Sequence, residues 1–206
     1  MADRKTGAPT PRVDRTVTGE SWYGRDISGE SFDRVAFVDL DLTEVVNRGA
    51  TFTECTFRRA KFNCSSHTDA AFVNCTFTNC TLFDVRFLEC KLFGSLFERC
   101  TFDMMKVVGG NWSLVGLPNA DLSGASFSGT RLREADLTAA RCQGGSFRDV
   151  DLAGAWLAQA NLTDCDLRGS DLGALAPDST EMRGAIVTYQ QAVTIAVALG
   201  LDVRAD

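Results

Sequence analysis

The chain has 206 residues, of which 45% are hydrophobic and 23% are charged, a composition typical of a folded globular protein and unlike that of a disordered chain. A formal net charge of −6 argues against a protein that binds nucleic acid directly through phosphate contacts. No apolar run approaches the roughly 20 residues of a membrane span, and the polar N-terminus lacks a signal-peptide pattern. These features predict a soluble cytoplasmic protein without membrane contact.

The first segment, residues 1–17, contains Pro9, Pro11 and several basic residues before any apolar pattern begins. Such a composition cannot bury enough apolar surface to fold on its own. We therefore expect a disordered N-terminal arm over residues 1–17, a repeat domain over residues 18–176 and a C-terminal module over residues 177–206. A weak contact of the basic arm with a polyanion is the alternative interpretation of the first segment.

The repeat domain has an unbroken period of five residues. Thirty positions from Ile27 to Leu172 leave remainder 2 on division by five, and twelve of them are Phe and twelve are Leu. Two residues before each of these positions a smaller residue recurs, and six of the eight cysteines belong to this smaller class. The other three positions of each unit are mostly polar. Residues 120–124, Ala-Asp-Leu-Ser-Gly, show the motif in full.

A period of five matches neither the 3.6 residues of an α-helical turn nor the two-residue alternation of a β-strand. It matches a solenoid in which each five-residue unit forms one side and one turn, so that four units close a square coil of 20 residues. The large residue and the small one point inward, while the polar residues point outward and form the turns. With coils stacked about 4.8 Å apart, the pattern predicts an all-β solenoid.

With this motif the sequence resembles the pentapeptide-repeat proteins, whose pattern is Ala-(Asp/Asn)-Leu-X-X. The resemblance covers roughly residues 22–172 and implies a right-handed quadrilateral β-helix. Because one fold serves many purposes, the function must be argued from the surface and the ends.

The C-terminal module is expected to cap the open end of the solenoid, because an uncovered coil exposes an unpaired edge. After Leu172 the five-residue pattern weakens, and residues 184–187 are expected to form a last strand. Thr188 and Gln191 have the spacing of a capping box, and Gly200 ends the short helix predicted over residues 192–199.

This helix is apolar nearly all round, although covering a coil requires only one face. The other face is therefore predicted to bind the same helix of a second copy in a two-fold dimer. The expected dimer interface consists of Ile186, Val193, Ala196, Val197, Leu199 and Leu201. A cap buried entirely within one chain is the alternative.

The end of the chain, with a loose final repeat followed by Gln-Ala-Val and Ala-Leu-Gly-Leu, resembles the C-terminal module of the MfpA and Qnr quinolone-resistance proteins. Members of that group are dimers joined at their C-terminal ends, bind DNA gyrase and are described as mimics of B-form DNA. The resemblance implies a homodimer that binds this type II topoisomerase and confers resistance to quinolones or to a natural topoisomerase poison. Since the period never slips, the loops that interrupt Qnr coils are not expected. A generic pentapeptide-repeat scaffold with an unrelated partner is the alternative function.

Acidic residues concentrate toward the C-terminal half of the repeat domain. Outward residues 20 positions apart, such as Asp151 and Asp171, should stack about 4.8 Å apart. Carboxylates at this spacing would present a negative surface to a basic DNA-binding saddle. The candidate partner-binding residues are Asp136, Asp149, Asp151, Asp164, Asp166 and Asp171. A solvated acidic surface that keeps the rod soluble is the alternative.

The interior offers few groups for chemistry. His67 and Asn47 occupy inward positions one coil apart, so these polar side chains are expected to hydrogen-bond each other. The cysteines lack Cys-X-X-Cys spacing, which favours free buried thiols over zinc ligands. The sequence contains no phosphate-binding loop, nucleophile elbow or acid–base pair. We therefore predict a protein that is not an enzyme and that holds no cofactor or metal.

A girdle of outward apolar residues surrounds the coil from residue 82 to residue 97. Its members are Phe83, Leu88, Phe93 and Leu96. An exposed apolar surface of this kind can mark a protein contact. The other interpretation is that these side chains lean over the coil edges and shield their neighbours.

Overall fold

The computed structural model describes residues 12–204, which form fourteen short strands and one helix. The elements are β1 (Arg15–Thr18), β2 (Ser31–Asp33), β3 (Val35–Val38), β4 (Val46–Arg48), β5 (Thr51–Thr53), β6 (Thr56–Arg58), β7 (Ser66–Thr68), β8 (Ala71–Val73), β9 (Thr76–Thr78), β10 (Arg86–Leu88), β11 (Leu96–Glu98), β12 (Lys106–Val108), β13 (Ser126–Ser128), β14 (Ser146–Arg148) and α1 (Tyr189–Ala198). The predicted helix is confirmed, and it begins three residues before the predicted range of 192–199.

Strand pairing establishes a coil of 20 residues. The strands pair in parallel, with partners such as Phe52 and Phe72 lying 20 residues apart. Three sheets make three sides of the coil: a five-stranded face (β1-β3-β6-β9-β11), a six-stranded face (β14-β13-β12-β10-β7-β4) and a three-stranded face (β2-β5-β8). The fourth side, the bridge face, is held by isolated parallel bridges such as Asp41 to Lys61. The predicted fold, an all-β quadrilateral solenoid with a short C-terminal helix, is confirmed.

The large inward residues fill the rod as stacked columns. The rings of Phe52 and Phe72 have centroids 4.7 Å apart and planes inclined by 1°, and Phe57 stacks on Phe77 at 4.9 Å and 6°. Each ring lies directly above the ring one coil below, so these distances match the spacing of about 4.8 Å between paired strands. Toward the C-terminus leucine takes over these positions, as at the fully buried Leu132.

The small inward residues tie each coil to the one before it. The Cys75 thiol donates to the carbonyl oxygen of Phe52 (3.3 Å), 23 residues earlier, and Ser95 Oγ donates to that of Phe72 (2.9 Å) in the same relation. Cysteine thus serves as a small core residue with a weak donor. Burial raises the pKa of the Cys90 thiol to about 11, so that this thiol stays protonated and unreactive at neutral pH.

The corner of each unit, two residues after the large inward residue, has a left-handed backbone. Asn74 and Asp149, for example, have φ values of 53° and 54°. Because Asn, Asp and Gly adopt this conformation with the least strain, the corners explain the enrichment of these residues on the outside of the rod. Gly110, at the small inward position that follows the corner residue Gly109, also has a positive φ of +80°, and a Cβ there would collide with the backbone of Cys90.

The solenoid begins earlier than the sequence indicated. Strand β1 pairs in parallel with β3, so residues 15–17 belong to the first coil and not to a disordered arm. Residues 1–11 of the predicted arm lie outside the described residues.

The first coil closes the N-terminal end of the rod with charged side chains. Glu20, Arg25 and Glu30 occupy the small inward positions, where the next coil carries Leu40, Val45 and Ala50. Trp22 Nε1 donates to Glu20 (2.8 Å), while Arg25 lies 4.9 Å from the centroid of the Trp22 ring and pairs with Glu30 at 2.7 Å. These groups cover Trp22, which is only 6% exposed. The end of the apolar column is therefore polar on its outer side.

At the other end, the coil extends beyond the predicted boundary at residue 176. Parallel pairing continues to Ile186, which bridges Asp166 one coil below. Residues 177–186 therefore still follow the 20-residue repeat, and the cap proper starts at the helix. Within the described residues, no helix has the length and apolar character needed to cross a membrane.

Helix α1 is fixed to the last coil by its capping box. Thr188 N donates to Gln191 Oε1 (2.8 Å) and Gln191 N donates to Thr188 Oγ1 (3.3 Å), as the Thr–Gln spacing predicts. In addition, Gln191 Nε2 donates to the carbonyl oxygens of Leu167 (2.7 Å) and Ser170 (2.8 Å). One buried glutamine therefore both starts the helix and satisfies carbonyl groups on the open edge of the coil.

Candidate partner-binding surfaces

The six candidate aspartates fall into two structural classes, and the first class belongs to the turn chemistry of the repeat. Its members, which immediately precede a large inward residue, are Asp136, Asp151, Asp166 and Asp171. Each accepts a hydrogen bond at Oδ1 from the backbone N–H two residues later. The distance is 2.9 Å both from Thr138 N to Asp136 and from Gly173 N to Asp171. These carboxylates therefore have a local structural role whatever else they bind.

The second class consists of two exposed corner residues, Asp149 and Asp164, with φ values of 54° and 55°. A glycine of the next coil lies above each of them. A Cβ at Gly169 would collide with Asp149 Oδ1, and a Cβ at Gly184 would collide with Asp164 Oδ1. Glycine at these two positions thus leaves room for both carboxylates at the surface.

Arginine neutralises two of the six aspartates. Asp166 pairs with Arg168 at 2.7 Å and lies 3.8 Å from Arg148, and the hydrogen bond from Arg168 lowers the pKa of Asp166 to about 2. Asp151 pairs with Arg133. Within residues 12–204, the four that form no ion pair are Asp136, Asp149, Asp164 and Asp171.

These four unpaired aspartates do not share one face. Asp149 and Asp164 lie at the two corners that border the six-stranded face, and Asp171 lies on the adjoining three-stranded side. Asp136 lies on the five-stranded side, opposite the six-stranded face. The four therefore point in different directions around the rod, and only Asp149 and Asp164 border the same face.

Negative charge is also concentrated on one face of the rod, which a count of charges by chain segment does not reveal. The bridge face, together with the corner after it, carries three cations, Lys61, Arg141 and Arg183. Its seven carboxylates are those of Asp41, Glu44, Asp84, Asp103, Asp121, Asp164 and Glu181. Only Asp164 among them was a sequence candidate. Sorting residue numbers by remainder on division by 20 would have found the other six.

Helix α1 and the residues around it leave apolar side chains uncovered on the outer side of the cap. Of the predicted dimer residues, Ile186, Val197, Leu199 and Leu201 are between 47% and 60% exposed. Val193 and Ala196 are half-buried, and Ile195 of the same helix packs against the hydrophobic core. Exposed Tyr189 and Val203 belong to the same end of the molecule and were not predicted from the sequence.

The buried polar pair is confirmed, and a third residue completes it. Asn47 Nδ2 lies 3.0 Å from His67 Nδ1, and Ser65 Oγ lies 3.0 Å from His67 Nε2. Because Ser65 donates its own proton to the carbonyl oxygen of Phe62 (2.6 Å), its oxygen must accept from His67 Nε2–H. The imidazole is thus neutral with the proton on Nε2, and burial lowers its pKa to about 3.

Concave and metal-binding features add no chemistry. An open cleft of about 390 Å³ lies at the start of helix α1, and its lining residues, which include Ser170, Thr188 and Gln190, carry no charged group. In the part of the chain that the structure describes, no group of three or more His, Cys, Asp or Glu residues could hold a metal ion.

The apolar girdle separates into two parts. Leu96 and Phe93 are half-buried, and Leu96 lies against Gly116, where a Cβ would collide with the leucine side chain. These two residues shield their neighbours. Phe83 and Leu88 are each 45% exposed and remain available for contact.

Comparison with known proteins agrees with this architecture. The profile of the family described as pentapeptide repeats matches residues 117–152 and 146–173, with 8 copies. The pentapeptide repeat protein MfpA of Mycobacterium tuberculosis is 33% identical over 110 residues, which cover 53% of this chain and 57% of the relative. The match therefore spans little more than half the length of that relative.

Solved structures match over nearly the whole chain. A trypsin-treated form of QnrB1, a plasmid-mediated fluoroquinolone resistance protein, has a TM-score of 0.64 at 21% identity and covers 94% of this chain and 100% of that chain. Full-length QnrB1 has a TM-score of 0.61 at 20% identity, with coverage of 91% and 98%. At this level of identity the likeness establishes a shared fold and nothing finer.

Proposed function

We propose that the chain is a pentapeptide-repeat protein that binds a type II topoisomerase, DNA gyrase, as a mimic of the DNA that the enzyme accepts. Binding modulates or protects the enzyme and gives resistance to quinolones or to a natural topoisomerase poison. The similarity to MfpA and the fold shared with QnrB1 support this function. A gyrase-binding protein acts in the cytoplasm, where thiols such as those of this chain stay reduced.

Total charge is too small to account for DNA mimicry by itself. At 20 residues and about 4.8 Å per coil, the rod from residue 15 to residue 187 is roughly 40 Å long, and B-DNA of that length carries about 24 phosphate charges. The formal net charge of this chain is −6, because lysine and arginine offset most of the carboxylates. Recognition must therefore depend on where the unneutralised carboxylates lie.

Three unneutralised aspartates on the last coils carry the proposal. Asp149, Asp164 and Asp171, the docking aspartates, lie at the two corners of the six-stranded face and on the adjoining three-stranded side, within two neighbouring coils. None forms an ion pair within residues 12–204. We assign the contact with the basic DNA-binding surface of gyrase to this group, which also lies next to the C-terminal cap.

Replacing the docking aspartates together by asparagine (Asp149→Asn, Asp164→Asn, Asp171→Asn) should weaken inhibition of gyrase supercoiling by at least about tenfold, because three charges that face a basic surface are lost. Asparagine keeps the Oδ1 acceptor of the turn and tolerates positive φ, so the coils stay intact. The measurement is the protein concentration that halves the supercoiling of relaxed plasmid by purified gyrase.

A matched control removes the same number of charges from the N-terminal coils. Asp26 and Asp41 accept turn hydrogen bonds and Asp69 is a corner residue with φ 52°, so Asp26→Asn, Asp41→Asn, Asp69→Asn sample the same two classes. This variant should inhibit like the wild type. Equal losses in both variants would reject the docking aspartates as the site, and a wild-type protein without effect on gyrase at micromolar concentration would reject the function.

We also propose that the protein is a homodimer joined through helix α1. The exposed side chains of Val197, Leu199 and Leu201 form an apolar surface at the end of the molecule, and a two-fold contact would bury it against its own copy. Such a dimer doubles the length of the rod and places the docking aspartates on both sides of its centre.

A Val197→Asp variant should run as a monomer, because the two-fold axis would bring two carboxylates together in an apolar contact. Light scattering after size exclusion should give the chain mass of 22.3 kDa for the variant and twice that mass for the wild type. Gln190→Asp, which adds the same charge at an exposed polar position of the helix, should remain dimeric. An unchanged mass for Val197→Asp would exclude the helix interface.

A further inference from the structure

A second surface with the character of a binding site lies in the middle of the rod, on the six-stranded face. Strands β10 and β12 place Arg86 beside Lys106 and Leu88 beside Val108. Leu88 and Val108 are 45% and 47% exposed, and the side chains of Arg86 and Lys106 are 63% and 50% exposed. With Met104, which is 51% exposed at the adjoining corner, these residues form what we name the central patch.

The central patch differs from the surface on either side of it. The neighbouring strands of the same face carry only small polar residues at the matching positions, Ser66 and Thr68 on β7 and Ser126 and Ser128 on β13. Long apolar and cationic side chains therefore rise above the hydroxyl-bearing strands on either side of them. The repeat does not require them, because serine and threonine serve at the same positions one coil away.

The two cations of the central patch are incompletely paired. Their only carboxylate partner within residues 12–204 is Asp84, whose Oδ1 lies 3.9 Å from Arg86 and 3.7 Å from Lys106, too far for a hydrogen bond. Asp84 Oδ1 is itself buried and has no hydrogen-bond partner. Elsewhere on the rod, Arg59 bonds Asp39 at 2.6 Å. Arg86 and Lys106 thus retain donors for an external acid.

We propose that the central patch binds an amphipathic helix of a partner protein, one that carries carboxylates beside an apolar stripe. The partner's carboxylates pair with Arg86 and Lys106, while its apolar side chains pack on Leu88, Val108 and Met104. Strands β10 and β12 lie inside the sheet, so they have no free edge for an added strand. Paired strands lie about 4.8 Å apart, close to the roughly 5–6 Å between helix residues three or four apart.

A second copy of the chain does not fit this surface. A two-fold contact through the central patch would set Arg86 and Lys106 against the same cations of the partner copy, which repel. Nucleic acid does not fit either, because apolar side chains border the two cations and the chain carries a net charge of −6. An acidic amphipathic helix satisfies both the charge and the apolar surface.

The test uses a fluorescent synthetic peptide of about 18 residues, roughly five helical turns, with Glu and Leu in adjacent helical rows. Anisotropy should report binding to the full-length protein. The double variant Arg86→Ser, Lys106→Ser, which copies the residue of the neighbouring strands, should weaken the binding by at least about tenfold. The double variant Leu88→Ser, Val108→Ser should weaken the binding to the same extent. A peptide with Gln in place of Glu should likewise bind the wild-type protein at least about tenfold more weakly.

A control pair of substitutions elsewhere, Arg58→Ser and Arg99→Ser on the five-stranded side, should leave peptide binding unchanged. The proposal would be overturned if the peptide did not bind, or if it bound the central-patch variants as tightly as the wild type. It would also be overturned if the wild-type protein self-associated and the central-patch substitutions abolished that self-association. Gyrase inhibition should be the same in the patch variants as in the wild type, so this test and that of the docking aspartates can fail separately.

Discussion

Replacing Phe57 by alanine is expected to lower the free energy of unfolding by about 3–5 kcal/mol. Phe57 is 1% exposed, and its ring stacks on those of Phe37 at 5.0 Å and Phe77 at 4.9 Å. Strand pairing fixes the distance between coils, so the surrounding column cannot collapse into the cavity that alanine leaves. Urea unfolding followed by circular dichroism measures the loss.

Two further substitutions make this result specific to the inward column. Phe83→Ala removes the same ring from a 45% exposed position and should cost less than about 1 kcal/mol. Phe57→Leu should recover much of the stability, since leucine fills the equivalent positions of the C-terminal coils. If Phe57→Ala and Phe83→Ala destabilised the protein equally, the assignment of inward and outward positions would be wrong.

The five-residue period allowed the interior to be predicted almost completely. It determines which residues point inward, and the remainder on division by 20 determines which residues stack, so the contact between Asn47 and His67 followed directly. The capping box of Thr188 and Gln191 was equally predictable because it depends on local spacing alone. These features share one cause: a residue's neighbours in a solenoid are fixed by its position in the repeat.

The N-terminal end could not be predicted in this way. Glu20, Arg25 and Glu30 are in phase with the small inward class, but charged side chains are not expected at core positions. They are tolerated because no coil lies below them, so their charged groups turn across Trp22 toward solvent. The period identifies a position as inward, but only the structure shows that the interior ends there.

The pairing of the aspartates was only partly predictable. Ion pairs between residues 20 apart, such as Arg141 with Asp121 at 2.9 Å, follow from the column. Arg168 instead pairs with Asp166 two residues away, because a long side chain can reach along its own coil as well as across coils. The division of the acidic residues into neutralised and unneutralised groups therefore required side-chain geometry.

The two ends of the rod have opposite character, which bears on how copies of the chain associate. The N-terminal end presents the charged groups of Glu20, Arg25 and Glu30, whereas the C-terminal end presents exposed Val197 and Leu201. A solenoid that was apolar at both ends could stack into open filaments. With one end polar, the proposed association closes at a dimer.

Acid should destabilise the protein through His67, beginning at a higher pH than that at which most carboxylates titrate. Burial lowers the pKa of His67 to about 3 in the folded protein, against about 6.5 in an unfolded chain. As the pH falls below 6.5, the unfolded chain therefore binds a proton that the folded protein refuses. The free energy of unfolding should decrease by about 1.4 kcal/mol per pH unit between pH 6.5 and pH 3.

The contribution of His67 to the pH dependence of stability can be isolated by comparing the wild type with a variant whose interior is apolar at this coil. In the variant Asn47→Leu, His67→Phe, the two residues are replaced by those that fill the inward positions elsewhere, so the column stays packed and the titrating group is removed. Urea unfolding at pH 6.5 and pH 4.5 should show the wild type losing about 2.3 kcal/mol more than the variant. Carboxylates contribute equally to both proteins and cancel. Parallel losses in the two proteins would mean that His67 takes up its proton without unfolding, and that the interior admits water at this coil.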